Sequence, residues 1–169
     1  MVEHTLVLIK PDGLKRLLTG SILTKLAGAQ LMIIGAKVVR VDENLARQHY
    51  RHLSDKPFFD ELVKYITGDI HGEEFSRILA FVYRGEDAIA KIRKITGATN
   101  PEEADPTSIR GSFGRITTTG VFENVVHSSG TPEEAEREIK LWFQPREIVC
   151  NIYPVRETES GIIWAWPDN

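Results

Sequence analysis

The chain has 169 residues, of which 41% are hydrophobic and 27% are charged, with a formal net charge of −3 at pH 7. These values are typical of one folded globular domain, and the weakly acidic balance gives no broad basic face for nucleic acid. The single cysteine, Cys150, excludes an internal disulfide and a cysteine-based metal site. We find no signal-peptide pattern and no apolar run near the ~20 residues of a membrane span. We therefore expect a cytoplasmic protein with no membrane segment.

Short apolar runs alternate with amphipathic ones along the chain. In chain order, the patterns predict a strand (4–10), a helix (14–27), a strand (31–41), an element capped by Asp42 (42–53), a helix opened by Pro57 (58–66), a strand (77–83), a helix (86–95), a long loop (96–119), a strand (121–126) and a helix (131–143). This order predicts an α+β fold, a ferredoxin-like split βαβ sandwich whose four-stranded antiparallel sheet is covered by helices on one face.

The division of the chain follows from the same patterns. We assign residues 1–153 to the domain, since no linker or internal repeat interrupts them. Residues 154–169 form a C-terminal tail, which contains Trp164 and Trp166. Two tryptophans in so short a segment predict that the tail packs on the domain or on a neighbouring subunit.

One histidine, His127, lies between an apolar run and the start of the last helix. Thr131 suits the N-cap of that helix, Pro132 its first position, and Glu134 a capping box. The positive end of the helix dipole favours anions nearby. An imidazole held at this corner could attack phosphorus as a nucleophile, although a structural histidine in a core or loop is the more common case.

Three cations are candidates for binding an anion. Lys10 closes the first strand and either points into a cleft at the sheet edge or extends to solvent. Arg93 lies late on a helix, where arginines are commonly solvated or interact with the dipole. Arg110 lies beside a glycine in the long loop, together with the polar Thr99, and a purely surface role explains it poorly. The glycines never form a GxxxxGK[ST] pattern, so a P-loop is excluded.

Aromatic and acidic residues leave two alternatives open. Tyr50 and Phe58 have the spacing of core residues, but Phe58 and Phe59 are adjacent and point to different sides of a helix. At least one of the two phenylalanines could therefore be exposed and stack on a planar base. Glu138 has acidic neighbours on the last helix, and a solvated charged face is the default expectation for it.

Several separate motifs resemble the nucleoside diphosphate kinase family, in its order and near its spacing: LVLIKPDG, HYRHLSDKPFFDELVKYI, GATNPEEADPTSIRGSFG, NVVHSS and EEAEREIKLWF. The resemblance covers residues 5–143. It implies the same ferredoxin-like fold and transfer of the γ-phosphate from a nucleoside triphosphate to a nucleoside diphosphate through a phosphohistidine. It also implies Mg²⁺ bound mainly through the nucleotide phosphates, with no protein metal site, and ATP and other nucleoside tri- and diphosphates as ligands. A homo-oligomer is implied as well, a hexamer or otherwise a tetramer or dimer.

Carried over position by position, the resemblance implies a catalytic group and a nucleotide-binding group. The catalytic group is His127, Lys10, Tyr50, Asn124, Ser129 and Glu138. The nucleotide-binding group is Lys10, Phe58, Leu62, Arg93, Thr99, Arg110 and Asn124. In these roles the histidine takes up phosphate and is held by the serine and the glutamate. The phenylalanine and leucine contact the base, the asparagine and lysine reach the sugar, and the cations and the threonine bind phosphates.

The chain departs from the family pattern at four places. Gly130 and Ser112 stand where the family usually has acidic residues, and the segments 68–75 and 115–123 are longer than usual. These departures suggest an alternative, a nucleotide-binding regulatory relative with weak turnover. A binding module would not need a nucleophilic histidine together with a glutamate that orients it, so His127 and Glu138 favour the enzyme.

Overall fold

The computed structural model describes residues 1–118, 120–157 and 164–166. The strands are β1 (Val2–Ile9), β2 (Met32–Arg40), β3 (Arg77–Glu86), β4 (Arg115–Ile116), β5 (Phe122–Glu123), β6 (Val126–Ser128), β7 (Arg156–Glu157) and β8 (Trp164–Ala165). The α-helices are α1 (Pro11–Lys15), α2 (Thr19–Ala27), α3 (Glu43–His49), α4 (Phe59–Thr67), α5 (Ala88–Thr96), α6 (Ile109–Phe113) and α7 (Pro132–Trp142). Short 3₁₀ turns cover Arg51–Leu53, Glu73–Phe75 and Pro145–Glu147.

The main sheet has four strands in the order β2-β3-β1-β6, and each neighbouring pair is antiparallel. β1 is an inner strand that pairs with β3 along its whole length, from Val2 to Ile9. On its other side Leu8 pairs with His127 of β6. The predicted four-stranded antiparallel sheet is therefore confirmed, and it places the end of β1 beside the candidate histidine.

Both faces of the sheet are buried. Leu6 and Leu8 belong to one hydrophobic cluster, with residues of α3, α4 and α7, whereas Val7 and Ile9 belong to a second cluster, with residues of α2, α5 and α6. Side chains alternate between the two faces of a strand, so an uninterrupted apolar run such as β1 requires cover on both. The expectation that helices cover only one face is wrong for this reason.

Local backbone turns interrupt two of the predicted elements. The predicted helix 14–27 is divided into α1 and α2, because Leu17 adopts a φ of 56° and is largely exposed. The predicted strand 121–126 is divided into β5 and β6 at Val125, whose φ is 58°. Leucine and valine are rarely found in this left-handed region, so neither break could be predicted from the residue types.

The predicted long loop, 96–119, contains regular structure within its described residues. α6 (Ile109–Phe113) has Ser108 as its N-cap, whose Oγ accepts a hydrogen bond from the Gly111 N–H at 3.1 Å. β4 pairs with β5, so the longer segment 115–123 is a small hairpin. Residue 119, at the end of the predicted loop, lies outside the described residues.

The described part of the tail contacts the domain. Trp166 Nε1 donates to the Phe143 carbonyl oxygen at 2.7 Å, and the Trp166 ring packs edge-on against Tyr153. Residues 158–163 and 167–169 lie outside the described part, and the division into domain and tail stays a prediction. No helix in the described ranges combines the length and the apolar character needed to cross a membrane.

Candidate active site

A cavity of about 610 Å³ lies where the ends of β1 and β6 meet α4, α5, α6 and the β4–β5 hairpin. Its size suits a small-molecule ligand. The predicted site residues that line it are Lys10, Tyr50, Phe58, Leu62, Arg93, Thr99, Arg110, Asn124 and His127. The remaining two, Ser129 and Glu138, are fully buried behind the histidine.

His127 is held by a buried carboxylate. Its Nε2 lies 2.9 Å from Oε2 of Glu138, which also accepts a hydrogen bond from Ser129 Oγ at 2.6 Å. Glu138 projects inward from α7 and is 1% exposed, so the expected solvated charged face is wrong for this residue. Burial alone would raise the pKa of Glu138, but the neighbouring His127 and the hydrogen bonds lower it to about 2. The carboxylate is therefore ionised at neutral pH.

The start of α7 fixes the chain just after His127. Thr131 is the N-cap, with its Oγ1 accepting from the Glu134 N–H at 3.2 Å, and Pro132 is the first helical residue, as predicted. The capping box is wrong in its partner, because the Glu134 carboxylate accepts from the Gly130 N–H at 2.9 Å and not from Thr131. The Glu134 carboxylate therefore closes the turn at Gly130, the position at which the family usually has an acidic residue.

Lys10 is buried and points inward. The residue is only 5% exposed, and its Nζ donates to Asn124 Oδ1 at 2.8 Å. The alternative that Lys10 extends to solvent is therefore wrong. Asn124 Nδ2 in turn donates to the Thr99 carbonyl oxygen at 2.9 Å. Burial, and then the nearby Arg110, lower the pKa of Lys10 to about 7, against a smaller opposing effect of Asp12. This lysine can gain or lose its charge near neutral pH.

The two arginines differ in how firmly they are held. Arg110 is buried, and its guanidinium donates to the Gly97 carbonyl at 2.8 Å and to the Val126 carbonyl at 3.1 Å. Burial, and then Arg93, lower the pKa of Arg110 to about 10, which leaves it charged. Arg93 is exposed on α5 and lines the cavity. The cavity therefore has one fixed guanidinium and one that remains free to adapt to an anion.

Aromatic side chains form another part of the cavity wall. Phe58 is 48% exposed and lines the cavity, whereas the adjacent Phe59 is buried in the core. This confirms the expectation that the two rings point to different sides. Leu62 lies one helical turn further along and also lines the cavity. Tyr50 is buried, which raises the pKa of its phenol above the ordinary value.

Two further residues of the site did not stand out in the sequence. The His49 ring packs edge-on against His127 with centroids 4.4 Å apart, and Trp142 Nε1 donates to His49 Nδ1 at 3.1 Å. Phe122 projects from the β4–β5 hairpin into the cavity lining and is 39% exposed. His49 is the first residue of the family-like motif HYRHLSDKPFFDELVKYI, and Phe122 lies in the segment 115–123, which is longer than usual in the family. The sequence therefore contained a signal for both residues.

Comparison with known proteins agrees with this geometry. The family model "Nucleoside diphosphate kinase" matches residues 3–148. The chain belongs to the nucleoside diphosphate kinase family. A kinase of this name from Bacillus licheniformis is 45% identical over 148 residues, 88% of this chain and 93% of the relative. One from Methanothermobacter thermautotrophicus is 43% identical over 156 residues, 92% and 97% of the two chains.

Solved structures of nucleoside diphosphate kinases share the fold. The enzyme from Halobacterium salinarum in complex with CDP has a TM-score of 0.78 and 39% identity, over 90% of this chain and 95% of that one. A transition state mimic of the Borrelia burgdorferi enzyme with bound vanadate and ADP has a TM-score of 0.78 and 31% identity, over 90% and 93%. The chain is accordingly a nucleotide-binding phosphotransferase of nucleotide metabolism, and the comparisons lend no support to the regulatory alternative.

Proposed function

We propose that the enzyme moves the γ-phosphate of a nucleoside triphosphate to a nucleoside diphosphate in two steps, with His127 as the covalent carrier. The observation that carries this proposal is the contact of His127 Nε2 with the buried Glu138 carboxylate at 2.9 Å, beside the cavity. Because Nε2 is engaged, Nδ1 is the ring nitrogen left to act as nucleophile.

The ionised Glu138 accepts from the Nε2–H of His127 and from the Ser129 hydroxyl. This pair of bonds fixes the ring orientation and the tautomer. The Nδ1 lone pair attacks the γ-phosphorus, an N–P bond forms, and the bond from phosphorus to the bridging oxygen breaks as the diphosphate leaves. In the second step, a terminal oxygen of another nucleoside diphosphate attacks the phosphohistidine, the N–P bond breaks, and the free histidine returns.

The cations of the cavity would neutralise the charge on the transferred group. Phosphoryl transfer depends on in-line positioning and charge stabilisation more than on covalent help. Lys10, Arg93 and Arg110 supply positive charge, Thr99 adds a donor for the phosphates, and Asn124, already bonded to Lys10, is placed to reach the sugar.

Mg²⁺ would be held by the nucleotide. Mg²⁺ prefers oxygen ligands and commonly binds through substrate phosphates. Within the described ranges, one group of three potential metal ligands occurs, His49, His127 and Glu138. It is rich in nitrogen, and its atoms are already engaged, because His127 bonds Glu138 and His49 Nδ1 accepts from Trp142. The residues therefore fit a cation carried in on phosphate oxygens, where it would supply further charge neutralisation.

The base would stack on Phe58, with Leu62 beside it. Stacking is tolerant of sequence because every base has a π-face. Relatives described with CDP and with ADP hold nucleotides of different base class. These points support a broad substrate range that covers ATP and other nucleoside tri- and diphosphates.

Assembly and location complete the proposal. β2 is an edge strand of the main sheet and exposes Met32, Ile33 and Val38. An apolar edge of this kind favours association, and we propose a homo-oligomer, a hexamer or otherwise a tetramer or dimer. Light scattering on purified protein measures the mass of the oligomer directly.

We also propose a cytoplasmic location, based on the family resemblance and on the single cysteine.

The deciding experiment is incubation with ATP labelled at the γ-phosphate and Mg²⁺. We expect label on the protein that is lost in acid and kept in alkali, as a phosphohistidine requires. His127→Ala should remove the label while nucleotide binding persists, because the nucleophile adds little ground-state affinity. His4→Ala, on the far part of β1, is the matched control and should keep the label. An unlabelled parent protein, or a labelled His127→Ala, would contradict the proposal.

A further inference from the structure

The backbone next to the nucleophile contains an unusual turn. Val125 has a φ of 58° and is fully buried, although β-branched residues rarely adopt a positive φ. The Val126 N–H donates to the Asn124 carbonyl at 2.7 Å, which closes a three-residue γ-turn around Val125. The γ-turn with positive φ is the rarer, strained form. Something in the surrounding structure must hold this turn in place.

The segment after β1 supplies that support. The Val125 N–H donates to Asp12 Oδ2 at 3.0 Å, and the Val125 carbonyl accepts from the Lys10 N–H at 2.9 Å. A Cβ atom at Gly13 would lie 3.2 Å from the Val125 carbonyl oxygen, so glycine permits this close approach. Both polar backbone groups of Val125 are therefore tied to a single short segment.

The turn also sets the positions of two site residues. Asn124, at its start, accepts from Lys10 Nζ at 2.8 Å, and His127 follows two residues after its centre. Relaxation of Val125 toward an extended conformation would open this turn, straighten the chain between Asn124 and His127 and move both side chains. Asp12 is 1% exposed and contributes no atom to the cavity lining, so it acts through the backbone and not on the nucleotide.

We propose that Asp12 is a positioning residue for phosphoryl transfer, whose carboxylate holds Val125 in the strained turn that places Asn124 and His127. This rests on the proposed role of His127. Asp12 belongs to the LVLIKPDG motif, but its contact with a residue 113 positions away cannot be read from that motif.

The test measures the single-turnover rate of phosphohistidine formation from labelled ATP and Mg²⁺, expressed per folded molecule. We expect Asp12→Ala to slow this rate by between ~10-fold and ~100-fold. The upper value is the loss that a 1 Å misplacement of a reacting group can cause. Asp12→Asn keeps an acceptor oxygen and should stay within about threefold of the parent. The matched control is Asp42→Ala, which removes another carboxylate that accepts a backbone N–H, from Leu45 at 2.7 Å, far from the cavity. It should lower stability without slowing phosphorylation.

A second substitution separates strain from other effects of Asp12. Glycine adopts positive φ without a steric penalty. Adding Val125→Gly to Asp12→Ala should therefore raise the phosphorylation rate at least about threefold above that of Asp12→Ala alone. Val125→Ala removes the same packing but keeps a Cβ, and should recover nothing. Asp12 also supports the charge on Lys10, but glycine at position 125 cannot restore a charge, so its rescue reports on the turn alone.

The outcomes are decisive in each direction. Parent-like phosphorylation in Asp12→Ala, or equal recovery by Val125→Gly and Val125→Ala, overturns the positioning role. If Asp12→Ala does not fold, glycine at position 125 should restore folding and alanine should not; restoration by both or by neither overturns it. A parent protein that never becomes labelled would instead contradict the role of His127, so the two proposals fail separately.

Discussion

The buried ammonium of Lys10 should make the stability of this protein depend on pH in an unusual direction. Its pKa is lowered from 10.5 to about 7, chiefly by burial and then by Arg110. Between these two pH values the unfolded chain binds a proton that the folded chain does not. The free energy of unfolding therefore rises with pH across this range, and the destabilisation is fully present below pH 7 and lost as pH approaches 10.5.

The magnitude follows from the same two values. Each pH unit between them corresponds to about 1.36 kcal/mol, so the whole interval corresponds to about 5 kcal/mol as an upper limit. Replacing Lys10 by Met removes the titration and keeps a similar length of side chain. The substitution also leaves Asn124 Oδ1 without its donor, which costs about 1–3 kcal/mol. That loss does not depend on pH, so it shifts the stability curve without changing its slope.

Urea unfolding of the parent and of Lys10→Met at pH 7, 8 and 9 measures the effect. Protein concentration must be the same throughout, because an oligomer gains stability with concentration. We expect the difference between the two proteins to change by about 1.0 kcal/mol from pH 7 to 8 and by about 1.3 kcal/mol from pH 8 to 9, in favour of the parent as pH rises. Other titrating groups are common to both proteins and cancel in the difference. A difference that stays constant between pH 7 and 9 would show that Lys10 keeps its charge throughout, and the reasoning from burial would fail.

Three other substitutions or comparisons test the site. Arg110→Ala should lower kcat/KM by at least ~10², the loss typical of one charge-stabilising group, and a decrease below about threefold would place its guanidinium outside the transition state. Values of kcat/KM for ADP, GDP, CDP and UDP should agree within ~30-fold, about 2 kcal/mol, since Phe58 offers only a stacking face; a thousandfold preference would indicate base-edge recognition. Gly130→Asp should raise the melting temperature in a Glu134→Gln background, by about 0.3–1 kcal/mol in free energy, and less in the parent, where the new carboxylate and the adjacent Glu134 carboxylate would repel each other; a clear fall in both backgrounds would refute the helix-dipole argument.

The sequence predicted those features of the fold that depend on local pattern. Strand β1, for example, contains the apolar run Leu6–Ile9 and ends shortly before Pro11, and the cap of α7 depends on one threonine followed by one proline. The breaks at Leu17 and Val125 could not be predicted, because both residues adopt a positive φ that their own side chains disfavour. Tertiary contacts impose these conformations, and a local pattern contains no information about such contacts.

The candidate site shows the same distinction. Arg110 could be selected because a purely surface role explains it poorly, whereas the residues alone left a structural role open for His127 and a solvent-directed side chain open for Lys10. Glu138 was assigned only through the family resemblance, since its own surroundings in the sequence are acidic and predict solvent exposure. Its burial depends on the face of α7 that packs against β1, and the apolar residues Ala135, Ile139 and Trp142 share that buried face.

The residues that sequence rules predict worst are those that the proposed mechanism requires. A lysine is seldom fully buried without a carboxylate partner, and a valine seldom adopts a positive φ, yet Lys10 and Val125 do so side by side, joined by a hydrogen bond of 2.9 Å. Each of these features destabilises the fold by itself. The stability they cost is offset by the two apolar clusters that pack on either side of β1. A local conflict with the rules of folding, placed beside the histidine proposed as the nucleophile, is the pattern expected of a functional site.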